Sequence, residues 1–149
     1  MDTKYNNTDN REIKPINENK PFIQSITIET IIDNDCVDLS FLTQLYEYII
    51  DSNEREKYLA EDKARLDSYY NQSWDMIGIK AYAVVYIPIG NDGFMTQRIT
   101  SGGLWGIESD SDKSYIEDIK NEQINELKQY LALFNIDMPE NIIIKETYQ

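Results

Sequence analysis

Arg98-Ile99-Thr100-Ser101-Gly102-Gly103-Leu104-Trp105-Gly106-Ile107-Glu108-Ser109-Asp110-Ser111-Asp112 is the stretch on which the reading of this chain turns. It stands between a hairpin pattern upstream and a strong helix pattern downstream. Glycine is chosen where the backbone needs a positive φ or where another group must come very close. Gly102-Gly103 ahead of Leu104-Trp105 therefore predicts a fixed, tightly turned loop that presents or buries a large ring. Trp105 reads first as a core or loop anchor, with a recognition platform as its alternative.

Working upstream, residues 94–100 and 74–89 alternate as strands around the turn Gly90-Asn91-Asp92-Gly93, with Pro88 expected to end the first of them. Before them, residues 53–70 predict a helix. Asp51-Ser52-Asn53 supplies its N-cap, Glu54 and Glu56 sit in its first turn, and Leu59, Leu66 and Tyr69 or Tyr70 make a narrow apolar stripe. Residues 37–50 are ambiguous, and residues 22–32 alternate as a strand closed by the turn Asp33-Asn34-Asp35. Residues 1–21 read as a flexible, polar N-terminal arm with no apolar signal segment.

Working downstream, Ser109 to Asp112 offer N-caps, and Ser114 with Glu117 has capping-box spacing. Ile116, Ile119, Gln123, Leu127, Tyr130 or Leu131, and Phe134 form a core-facing helical stripe interrupted only by Gln123. Asn135 fits a left-handed helix end, and Ile142, Ile143 and Ile144 suggest a short last strand. The sum is a single α+β domain over residues 22–149: an antiparallel sheet of about four strands with two helices packed on one face.

Composition removes several function classes. Histidine is absent and cysteine occurs once, at Cys36. The commonest general base, most zinc sites and the usual nucleophile pairs are therefore missing, and no intramolecular disulfide can form. No apolar run approaches the roughly 20 residues that span a bilayer. The net charge is −13, from 27 acids against 14 bases, which disfavours direct nucleic-acid binding and suits either solubility or a basic partner. Neither cofactor nor metal is expected. Glu108, Asp110 and Asp112 alternate like half a calcium loop, but the required glycine and closing glutamate are absent. Gly102-Gly103-x-x-Gly106 lacks the Gly-Lys-Ser/Thr of a phosphate loop, and the acids after it would repel phosphate.

The segment Gly78-Ile79-Lys80-Ala81-Tyr82-Ala83, the hairpin and then Gln97 followed by the run from Arg98 to Asp112 resemble a family of small acidic proteins. Its members are carried by phages, plasmids and integrative elements. The resemblance extends through the 115–134 helix and more weakly to the 54–70 helix. It implies a mobile-element setting in the cytoplasm of a host bacterium, and with it a counter-defence role. The leading expectation is an anti-CRISPR or anti-restriction inhibitor, with a Cas9-type effector as first target. It would mimic DNA and block nucleic-acid binding by a basic effector, without turnover. Its partner-binding residues would be Glu108, Asp110, Asp112, Glu117, Asp118, Glu54, Glu61 and Asp62, with Trp105. The alternative is a non-enzymatic regulatory module that recruits a protein through the Trp105 loop. A third is an enzyme using carboxylates and tyrosines, which would need two buried carboxylates close together in a cleft.

Overall fold

The first strand forms because Ile23, Ile26 and Ile28 all turn one way along a β-branched run. In the computed structural model, which describes residues 20–35, 39, 46, 48–91 and 93–149, this is β1 (Phe22–Ile32). It is followed by α1 (Ser52–Tyr70), β2 (Met76–Ile89), β3 (Gly93–Thr100), β4 (Leu104–Glu108), α2 (Lys113–Leu133) and β5 (Ile144–Tyr148). The α+β class stands. The sheet has five strands rather than about four, ordered β3-β2-β1-β5, with β4 pairing the start of β2.

Two strands differ from the sequence reading, β4 by its presence and β5 by its direction. β4 lies inside the glycine loop, where five residues were too few to stand out as a strand, and it pairs Met76 with Glu108 and Ile77 with Ile107. β5 runs parallel to β1, Ile26 opposite Ile144 and Thr30 opposite Tyr148, because α2 carries the chain back across the sheet before it. β2 also continues through Pro88, which pairs with Phe94. The β1–β2 pairing reaches only Phe22–Tyr86, so the strand neighbour that would need a proline N–H has already ended.

One face of the sheet carries Ile26, Ile28, Ile77, Ile79, Ala81, Ala83 and Val85, and α2 seals it with Ile119, Leu127 and Leu131. Asp112 caps α2 by accepting from Ser114 N at 2.8 Å. The capping box expected from Ser114 and Glu117 does not form, since the cap lies two residues earlier and Glu117 pairs with Lys120 instead. At the other end Asn135 takes φ +54°. Ile136 N then bonds Leu131 O and Asn135 N bonds Ala132 O, a Schellman motif. That reversal turns Ile136 into the core at 3% exposure and leaves Phe134, expected in the stripe, 60% exposed.

α1 is capped by Asp51, as the sequence predicts. It has no buried residue and meets the sheet only at its end, where Leu66 and Tyr69 pack on a small cluster of Leu39, Trp74 and Met76. Met76 is one step out of phase with Ile77, so this cluster lies on the side away from α2, and the two helices do not share one face as expected from sequence. The 1–21 arm and the ambiguous 37–50 segment fall mostly outside the described residues.

Candidate functional site

The face opposite α2 is built on the alternate residues of the same strands. Its centre is Glu29, 5% exposed, opposite Lys80 in the β1–β2 register. Lys80 Nζ lies 3.3 Å and Arg98 Nη2 3.1 Å from Glu29 Oε2, and Gln149 Nε2 donates to Oε1 at 2.9 Å. The Arg98 guanidinium also stacks 3.5 Å above the Tyr82 ring. An ionised carboxylate at this depth is tolerated because both oxygens have charged or polar donors. Beyond Tyr82, Phe22 stands edge-to-face with Tyr86 and Phe94, and those two are tilted to each other, with centroids 5.1 to 6.1 Å apart.

Trp105 lies at the other end of this face, flat on Gly78. A Cβ at residue 78 would sit 2.1 Å from the indole ring, so a mid-strand glycine is explained by the ring that covers it. The ring is not core, for Trp105 keeps 46% of its surface exposed.

The loop bearing Trp105 is fixed from two sides. Ser101 N donates to Ala81 O at 2.8 Å and Ala81 N to Ser101 Oγ at 2.9 Å. Gly102 N donates to Glu126 Oε2 and Gly103 N to Gln123 Oε1, both at 3.0 Å. Gln123 therefore interrupts the apolar stripe of α2 in order to satisfy a loop amide. Gly103 itself sits at φ +82°, which a side chain would resist. Gly106 N donates to Asp33 Oδ2 at 3.1 Å.

Most of the acids read as partner-facing have internal duties. Arg65 of α1 grips Glu108 at 2.5 Å and forks onto Asp110 at 2.6 and 2.7 Å. Its guanidinium lies 3.7 Å over Trp74. The Asp110 hydrogen bond, then the Glu108 one, raise the Arg65 pKa against the effect of burial, and the same contact lowers that of Asp110. Asp112 is lowered by the Ser114 hydroxyl and backbone N–H that it accepts from. Glu117 and Glu146 both bind Lys120, at 2.8 and 2.9 Å. Glu61 faces Lys57 at 3.9 Å. Asp62 accepts from the Tyr46 hydroxyl, whose pKa is pushed up to about 12 chiefly by that bond. Glu54 and Asp118 are exposed. The structure thus gathers Glu108 and Asp110 at one clamp and disperses the remainder.

The central residues of this face (Glu29, Lys80, Arg98 and Gly78) were missed from sequence. Their signals were a lone charge at matching phase in each of three strands and a glycine inside an apolar run. Among the described residues Glu29 is the only buried acid, so no pair of buried carboxylates is assembled. No group of three or more His, Cys, Asp or Glu among them is placed to hold a metal ion. The lining of an open depression of about 380 Å³ beside β5 includes Thr30, Ile32, Asp75, Ile77, Ile116 and Tyr148.

Charge is unevenly distributed. Residues 1–21 hold four acids and four bases, so the whole net charge of −13 belongs to residues 22–149. Within these, residues 76–107 contain a single acid, Asp92, against Lys80 and Arg98. No family model, no curated protein and no solved structure matches the chain.

Proposed function

We propose that this chain is a non-enzymatic counter-defence inhibitor of a mobile element. It binds a basic nucleic-acid-binding effector, a CRISPR nuclease of the Cas9 type or a restriction enzyme, and occupies the surface that nucleic acid would use. The observation that carries this reading is the confinement of the full net charge to residues 22–149 together with the fate of their cations. Of the ten cations in this segment, Arg65, Lys80, Arg98 and Lys120 are engaged by carboxylates of the same chain. The acids Glu54, Glu56, Glu61 and Asp67 of α1 and Asp118 and Glu122 of α2 are exposed, giving an outward negative field that a basic channel would meet.

The test is titration of a purified effector with the chain while DNA cleavage is followed. Inhibition should saturate near one inhibitor per effector and weaken from about 50 to about 300 mM salt as exposed charges are screened. Full inhibition at a small fraction of an equivalent would require turnover and would overturn the reading.

A second reading has its own observation, the rigidly held and half-exposed Trp105, which supports a protein-recruiting module acting through that loop. Trp105→Ala separates the two. Loss of partner binding in Trp105→Ala, with retention in Glu54→Lys/Asp118→Lys, selects the loop; the reverse pattern selects the acidic surface.

A further inference from the structure

We infer that the edge of β3 left unpaired among the described residues is a strand-addition site, which takes an extended basic segment of the partner as a further strand of the sheet. The inference rests on the reading of a basic partner and says how that partner is gripped.

Among the described residues β3, β4 and β5 are each paired on one side only, and β4, like β5, has just five residues. Edges with unpaired N–H and C=O groups invite additional strands and are ordinarily blunted by shortness, charge or proline. β5 follows that rule, with five residues that include Lys145 and Glu146. β3 does not. Its eight residues, Gly-Phe-Met-Thr-Gln-Arg-Ile-Thr, contain no acid, no lysine and no proline. Its one charge, Arg98, is turned onto Glu29 and Tyr82. Every residue of β3 except Ile99 is exposed.

The ladder phase says which main-chain groups are free. Ser101 N bonds Ala81 O, which makes 81 and 101 a hydrogen-bonded pair. In an antiparallel ladder such pairs alternate. In the register Ala83–Ile99, Val85–Gln97 and Ile87–Met95, residues 95, 97 and 99 therefore bond β2. Phe94, Thr96, Arg98 and Thr100 aim their N–H and C=O groups outward from the sheet.

Side chains beside this edge define the occupant. Gln123 and Glu126 reach Gly103 and Gly102, so this flank of α2 overlooks the β3–β4 connection. Glu122 lies one turn before Glu126 and is exposed. On the other face Phe94, 53% exposed, stands beside Phe22 and Tyr86. An added strand alternates between these environments, with basic residues towards α2 and apolar residues towards Phe94. A second copy of the chain fits less well, because it would place two bodies of net charge −13 side by side.

The test uses the full chain, isotope-labelled for amide exchange, and a peptide of about ten alternating Lys and Val residues, a length matched to one strand. Its control is the same peptide N-methylated at alternate residues, which keeps the charge and removes one row of main-chain donors. The unmethylated peptide should slow exchange at Phe94, Thr96, Arg98 and Thr100 by about tenfold or more, and leave Met95, Gln97 and Ile99 unchanged. Thr96→Pro removes only an outward N–H and should abolish that protection. Equal effects of the two peptides, or protection confined to the acids of α1 and α2, would overturn strand addition in favour of charge alone. The methylated control leaves the protein unaltered, so this holds even where Thr96→Pro does not fold. A concentration-dependent dimer that Thr96→Pro dissolves would make the occupant a second copy and overturn the basic segment. An effector held equally by wild type and Thr96→Pro would sink the edge and leave the proposed function standing. Peptide addition at β3 without binding of any such effector would do the opposite.

Discussion

The two faces of this sheet are held by different chemistries. Towards α2 the contacts are dry: Ile26, Ile79, Ala83, Val85, Leu127 and Leu131 are all at 0% exposure. On the opposite face a carboxylate occupies the middle, two cations and a glutamine surround it, and an indole lies on a glycine. Apolar burial is non-directional, so the α2 face would accept other residues of similar total volume. The opposite face has no such latitude. Each of its groups is tolerated only because a particular partner is present. Stability is concentrated on one side, and fixed geometry on the other.

Four changes would break or sharpen this contrast. The largest effect is expected on the dry face, where Leu127→Ala should cost about 2–5 kcal/mol in chemical denaturation. A loss below about 1 kcal/mol would mean that α2 does not seal the core. Next is Gly78→Ala, whose methyl group must displace the Trp105 ring; overpacking of this kind costs about 1–3 kcal/mol. The diagnostic readout is the double variant: in a Trp105→Ala background the Gly78→Ala penalty should vanish, and equal penalties in both backgrounds would place the ring elsewhere.

A smaller effect is expected at the seam between α2 and β5. Burial works against the charge of Lys120, yet its hydrogen bonds to Glu117 and Glu146 leave its pKa raised above 10.5. A raised folded pKa gives a contribution fully present below 10.5 that is lost as pH rises through the higher folded value. Melting curves should therefore show an alkaline loss in wild type that is absent in Lys120→Met. The smallest effect is at the end of α1. Asp110 is held below the ordinary carboxylate range, so its contribution is present above about pH 4 and fades as pH falls through its folded pKa. Arg65→Ala should remove that acid dependence and loosen α1 in proteolysis while the sheet persists. An unchanged acid limb would show that the clamp contributes nothing.

Local signals were strong where the chain decides its own conformation. Asp51 and Asp112 cap the two helices, Asn135 ends the second, and Gly90 to Gly93 turn the hairpin, all legible because capping and turn chemistry act within a few residues. β4 escaped notice because a five-residue strand broken by Gly106 carries little periodicity. The parallel placement of β5 had no sequence signal, since pairing partners are separated by most of the chain. The candidate site was the least legible part. Acids that looked free to meet a partner, Glu108 and Asp110 above all, are claimed by Arg65 from 43 and 45 positions away.

By itself the sequence determined the α+β class, the extents of the main helices and strands, the charge of −13 and the absence of histidine chemistry, because these follow from composition and from short-range steric and hydrogen-bonding rules. Tertiary structure alone decided which carboxylates remain available and why Gly78 and Gln123 stand where they do. It also decided which edge of the sheet no described strand pairs, since each of these depends on a neighbour that only folding brings near.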